Sequence, residues 1–133
     1  MTQPELQAFL DANFPRAMQV GEVVEVGARH VRVRMAVRPE MLRPGGTIMG
    51  PALMTLADTT MYFALLVAIG PVLDLVTTSL DIHFLRRPLA TDVEATARVL
   101  RIGRRMAVGT VELCSVGDPE PVAHATVSYA LPT

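Results

Sequence analysis

TIMGPALMTLADTTMYFALLVAIG, running from Thr47 to Gly70, carries one side chain that does not match its surroundings. Between Arg43 and Asp74 the only charged residue is Asp58, set among Leu, Ala, Met, Phe and Val. Residues 52–69 are long and apolar enough to cross a bilayer, yet Thr55, Asp58, Thr59 and Thr60 interrupt them. The flanks carry no clustered basic anchors, and the chain beyond reads as soluble strands. The segment is therefore read as a helix over 51–69, buried nearly all round at the centre of a globular core. A carboxylate in such a helix has to be paired, protonated, close to water, or stabilising. The helix alone leaves these alternatives open.

On either side of this helix the period changes. In TQPELQAFLDANF, Thr2 and Glu5 fit a capping box and Leu6, Phe9 and Leu10 share a face, which predicts a short helix over about 3–14. From Val20 the period drops to two: Val31, Val33, Met35 and Val37 oppose Arg32 and Arg34, with a turn or bend at Gly27-Ala28. RPEMLRPGG, with two prolines and two glycines, reads as a loop, and Pro51 suits a first helical turn. Four strand-like stretches follow the helix. In the first, Leu80, Ile82 and Phe84 alternate with Ser79, Asp81 and His83; Gly103-Arg104-Arg105 joins the second to the third, and PVAHATVSYAL closes the chain. Helix, strands, long buried helix, strands is an α+β order with an antiparallel sheet. Five or six strands curled around one apolar helix, in a single domain over 1–133, account for every element.

Composition removes several kinds of function. Half of the residues are hydrophobic and 19% are charged, which is globular rather than disordered. A net charge of −1 gives no nucleic-acid footprint. All 12 basic residues are Arg, so Schiff-base, pyridoxal phosphate and P-loop lysine chemistry are excluded. Cys114 is the single cysteine, which rules out an internal disulfide and fits a reducing compartment. The N-terminal residues lack the basic start and apolar run of a signal peptide, so a cytoplasmic location is expected. His30, His83 and His124 fall on separate strands without metal-ligand spacing, and neither a G-x-S-x-G turn nor a G-x-G-x-x-G after a strand occurs. No metal or organic cofactor is expected. The methionines suit either an adaptable apolar channel or ordinary core filling.

GGTIMGPALMTLADTTMYFAL resembles the hotdog-fold thioesterases of the PaaI-like branch, which show G-T-x-H-G-G followed by an L-A-D-T-A-like helix. DIHFLRRPLATDVEATARVLRIGRRMAVGTVEL and the PVAHATVSYAL ending fit the same family's strands and turns, so the resemblance covers roughly residues 20–130. It implies a hotdog fold, hydrolysis of acyl-coenzyme A thioesters, and a homodimer or homotetramer with sites between subunits. By the same resemblance Asp58 corresponds to the catalytic carboxylate, as general base or nucleophile. Gly50 corresponds to the glycine whose N–H polarises the thioester carbonyl, and Thr77 to a hydroxyl that positions water. Met49 and Pro51 stand where the family has His and Gly, beside the substrate carbonyl. Arg43 stands where some relatives keep an Asn. Arg86, Arg87, Arg104 and Arg105 are candidates for coenzyme A phosphates, or else solvated turn charges. Without the family histidine the chain could instead bind acyl thioesters, or act as an oligomeric scaffold, with no turnover. A hotdog hydratase would need an Asp–His pair that the sequence does not offer.

Overall fold

The computed structural model describes residues 1–132, the side chain of Met18 excepted. A short helix α1 (Gln3–Asn13) and a one-turn helix α2 (Ala17–Val20) lead into strands β1 (Glu22–Val26) and β2 (His30–Met35). A 3₁₀ turn at Pro39–Met41 precedes the long helix α3 (Gly50–Ile69), and strands β3 (Val76–Phe84), β4 (Val93–Ile102), β5 (Met106–Ser115) and β6 (Pro121–Ala130) follow. The six strands form one antiparallel sheet in the order β1-β2-β4-β5-β6-β3. The sheet wraps around α3, which is the hotdog architecture. The helix boundaries expected from the sequence move by one residue at most; the 3₁₀ turn falls within the stretch read as loop, and α2 takes up residues given no element together with Val20, read as the start of the strand pattern.

Each helix starts as its residues dictate. On α1, Thr2 Oγ1 accepts from the Glu5 N–H and Glu5 Oε1 accepts from the Thr2 N–H, closing the capping box and turning Leu6 and Leu10 into the core. At the start of α3, Met49 is the extended N-cap (φ −69°, ψ 146°) and makes no side-chain cap bond. The approach to it is held by a tight loop. Arg43-Pro44-Gly45-Gly46 turns with Pro second and Gly45 third at φ +98°, closed by Gly46 N–H to the Arg43 carbonyl at 2.9 Å. Arg43 N–H to the Thr47 carbonyl and Met49 N–H to the Met41 carbonyl, both 2.7 Å, zip the loop shut. Gly70, at φ +97°, ends α3 and donates to the Leu66 carbonyl.

α3 is long and apolar enough by composition to cross a membrane, but most of it is buried against the sheet. Small residues make the close approach possible. The buried faces of β4, β5 and β6 carry Ala95, Ala97, Ala107, Gly109, Ala123 and Ala125, interleaved with Val93, Val111, Leu113 and Val127. Gly109 is the tightest point, since a Cβ there would fall inside van der Waals contact with both the Arg98 carbonyl oxygen and the Met61 side chain. The carbonyl belongs to a paired strand and cannot retreat. Gly109→Ala is expected to cost about 1–3 kcal/mol by overpacking, read as a lower denaturation midpoint; an unchanged midpoint would contradict this packing.

The strand expected to alternate, β3, behaves differently from the others. Leu80 and Ile82 are only half-buried, while Val76 is 56% and Phe84 51% exposed. The cause is its place in the sheet: β3 is an edge strand, paired with β6 alone among the described residues. Leu73 and Leu85, just beyond its two ends, are exposed as well. A nine-residue edge with exposed apolar residues at both ends is an open template for another strand.

Candidate active site

Asp58 lies two turns into α3, and its partners come from the sheet rather than from its own helix. Thr77 Oγ1 donates to Asp58 Oδ1 at 2.8 Å, and the Tyr129 hydroxyl donates to the same oxygen at 2.6 Å. The Asp58 carbonyl oxygen is 3.1 Å from the Tyr129 hydroxyl. The two donors converge because Thr77 and Tyr129 are direct cross-strand partners on β3 and β6. Thr60, a neighbour that could have served Asp58, instead returns its hydroxyl to the Leu56 carbonyl at 2.6 Å. The first of the openings left by the sequence is therefore realised: the carboxylate is paired, by two strand hydroxyls.

Tyr129 was not legible as a site residue. It is 3% exposed, and its ring stacks on Tyr62, one turn along α3 from Asp58, with centroids 6.4 Å apart. Burial, together with the Asp58 carboxylate beside it, raises its phenol well above the usual tyrosine range, so it remains a proton donor. Since both donors take Oδ1, Oδ2 has no partner among the described residues, and it is not a buried orphan either. Asp58 lines a cleft of about 260 Å³ walled by Phe14, Tyr62, Leu73, Leu75 and Tyr129.

Gly50 belongs to a different cleft. Its N–H is one of the free donors at a helix start, with no protein acceptor among the described residues. The surrounding cleft, about 430 Å³, includes Arg43, Thr47, Phe84, Arg86 and Arg87. Arg87 donates to the Gly45 carbonyl, and Arg86 is paired with Asp118 and Glu120. Arg104 and Arg105 occupy the β4–β5 turn and line neither cleft. Strand register puts that turn at the end of the sheet where β3 begins, because Met106 and Val76 both pair with Ala130. Met49 and Pro51 border a third cleft of about 430 Å³ together with Met35, Met41, Val20 and Ala52, so the Met49 thioether is part of an apolar wall.

A model of the thioesterase superfamily matches residues 45–122, which takes in the loop before α3, the helix with Asp58, and β3 to β5. The chain belongs to the thioesterase superfamily. As a thioesterase-superfamily protein it has close structural relatives. One is a Silicibacter sp. protein assigned as a thioesterase, with 33% identity and a TM-score of 0.89 over 100% of this chain and 93% of that one. Zebrafish thioesterase superfamily member 2 shares the fold at 24% identity and a TM-score of 0.82, covering 99% of each chain. PaaI of the Escherichia coli phenylacetic acid degradation operon does so at 22% and 0.83, over 98% of this chain and 92% of its own. A search of curated protein sequences returns no match. Thioester hydrolysis is the chemistry that goes with the family, and a free carboxylate oxygen and a free helix-start amide are groups it can use.

Proposed function

We propose that this thioesterase-superfamily protein hydrolyses acyl-coenzyme A thioesters in a site shared by two copies of the chain. The observation that carries the reading is where the two chemical groups lie along β3. Asp58 bonds to Thr77 at the start of that strand, and Gly50 lies beside Phe84 at its end. Eight residues separate Gly50 from Asp58 on α3, which at about 1.5 Å per residue is roughly 12 Å. One carbonyl group cannot meet both within hydrogen-bonding reach of a single chain. Antiparallel pairing of two β3 edges about a two-fold axis sets the start of one strand against the end of the other. The Asp58 cleft of one protomer then meets the Gly50 cleft of its partner, and the exposed Val76 and Phe84 are covered.

In that site the Gly50 N–H, at the positive end of α3, receives the thioester carbonyl oxygen. The partner's Asp58 acts through Oδ2, either by taking a proton from water that attacks the carbonyl carbon or by attacking that carbon itself. The carbon–sulfur bond breaks, and with one water consumed the products are a carboxylic acid and a thiol. Arg43 and Arg87, with no carboxylate partner among the described residues, are the nearer candidates for the phosphates of the carrier. Arg86 is already neutralised by two carboxylates. Arg104 and Arg105 could join from the other protomer, whose β3 start lies at the same end of the assembled sheet. No organic cofactor or metal enters this scheme, and a cytoplasmic setting suits a chain with one cysteine.

The test is thiol release from short, medium, long and aromatic acyl-coenzyme A by the purified protein, with binding of matching non-hydrolysable thioethers measured in parallel. Turnover of at least one class supports the reading. Tight thioether binding with no turnover would favour the second reading, an acyl-thioester-binding protein, for which the Met49 thioether in place of a polar side chain speaks.

A further inference from the structure

We infer that Tyr129 and Thr77 are a pair of positioning residues that clamp Asp58 through Oδ1 and thereby assign the chemistry to Oδ2 alone. This inference rests on the hydrolase reading above and goes beyond it in naming what orients the carboxylate.

A carboxylate on a helix rotates about two side-chain torsions, and either oxygen can face a cleft. Here two O–H donors at 2.6 and 2.8 Å approach one oxygen from two different strands. Rotation that exchanged the oxygens would break both bonds at once. The donors are themselves fixed. Thr77 and Tyr129 face each other in the β3–β6 ladder, and a register shift between Thr77 and Ser79 reshapes β3 immediately after Thr77. The Tyr129 ring is held between the sheet and Tyr62, and its neighbour across β5 is the small Ala107. Tyr129 is 3% exposed and commits its hydroxyl to Asp58, so it acts on the reaction through that carboxylate. Thr77, which lines the Asp58 cleft, gives its hydroxyl proton to Asp58 rather than to a water. Its oxygen keeps acceptor lone pairs, so holding Asp58 is added to the water-positioning role that the family resemblance implies.

Three variants test the clamp with any acyl-coenzyme A that the protein hydrolyses. Tyr129→Phe keeps the ring and removes one donor; Thr77→Val keeps the shape and β-branching and removes the other. Each is expected to lower kcat by about ten- to hundredfold with KM within about twofold, since a small misplacement of a reacting group has effects of that order. Thr77→Ser keeps the hydroxyl and is expected to retain most of the turnover. In an Asp58→Asn background, Tyr129→Phe should not lower the residual rate further, because it acts through the carboxylate. Should Tyr129→Phe fail to fold, the Thr77 pair decides the matter by itself. Wild-type turnover with unchanged kcat in folded Tyr129→Phe and Thr77→Val overturns the clamp while leaving the hydrolase reading intact. Equal losses with and without Asp58, or a rise in KM that matches the fall in kcat/KM, overturn it too. An inactive wild-type protein overturns both readings together.

Discussion

Asp58→Asn is expected to lower kcat for acyl-coenzyme A hydrolysis by about 10²- to 10⁴-fold, the range associated with loss of a positioned base, with little change in fold. The Asn side-chain oxygen can still accept from Thr77 and Tyr129, so both hydrogen bonds observed at Oδ1 survive. The substitution falls on Oδ2, where an NH₂ group that cannot accept a proton replaces the free oxygen. Circular dichroism melting and steady-state kinetics on the same preparation separate the two roles. A melting temperature near wild type with lost turnover supports a chemical role. A lowered melting temperature with turnover largely retained would make Asp58 a structural acid and leave the site without its base.

Much of the fold could be read from the chain because its signals are local. Residues 52–69 hold a single charge, Thr2 and Glu5 cap α1, and Gly103 to Arg105 turn β4 into β5. The site was only partly readable. Asp58 stood out because a lone carboxylate in an apolar helix demands an explanation. Its principal partner did not, because Tyr129 lies 71 residues away and shares the inward face of β6 with Ala125 and Val127, where an aromatic reads as ordinary core. Only the pairing of β3 with β6, with β4 and β5 between them in sequence, places its hydroxyl opposite Thr77. A tyrosine at an inward strand position is a usable signal all the same, since a buried phenol needs an acceptor and Asp58 was the one charged acceptor in the helix.

The arginines illustrate the limit of reading charges from sequence. Arg86 and Arg87 are adjacent and looked equivalent. The turn after β5 brings Asp118 and Glu120 to Arg86, while Arg87 reaches the Gly45 carbonyl in the loop before α3. Likewise the alternation of Leu80, Ile82 and Phe84 suggested one buried face, but sheet order leaves β3 at an edge and half exposes it. That exposure is itself informative, since it marks the strand along which two protomers would join.

The claim on which the rest depends is that one site needs Gly50 from one protomer and Asp58 from the other. Gly50→Pro deletes the amide hydrogen and keeps the helix start. Proline is favoured at the first helical position, and Met49 already holds the extended conformation that a following proline requires. The added carbon lies 3.3 Å from Phe84 Cζ, at the tip of a half-exposed ring that can give way. Loss of an oxyanion donor should reduce kcat by about 10²- to 10³-fold. Gly50→Pro and Asp58→Asn are then each nearly inactive alone, but differently marked homodimers can be mixed, unfolded and refolded together. Half of the resulting dimers are expected to be mixed, and each of these carries one site with both an intact Gly50 and an intact Asp58. The account predicts recovery of about a quarter of wild-type activity on random reassortment, appearing only after subunits exchange. Activity that stays at the level of the two parents, with mixed dimers present in the sample, would contradict the shared site.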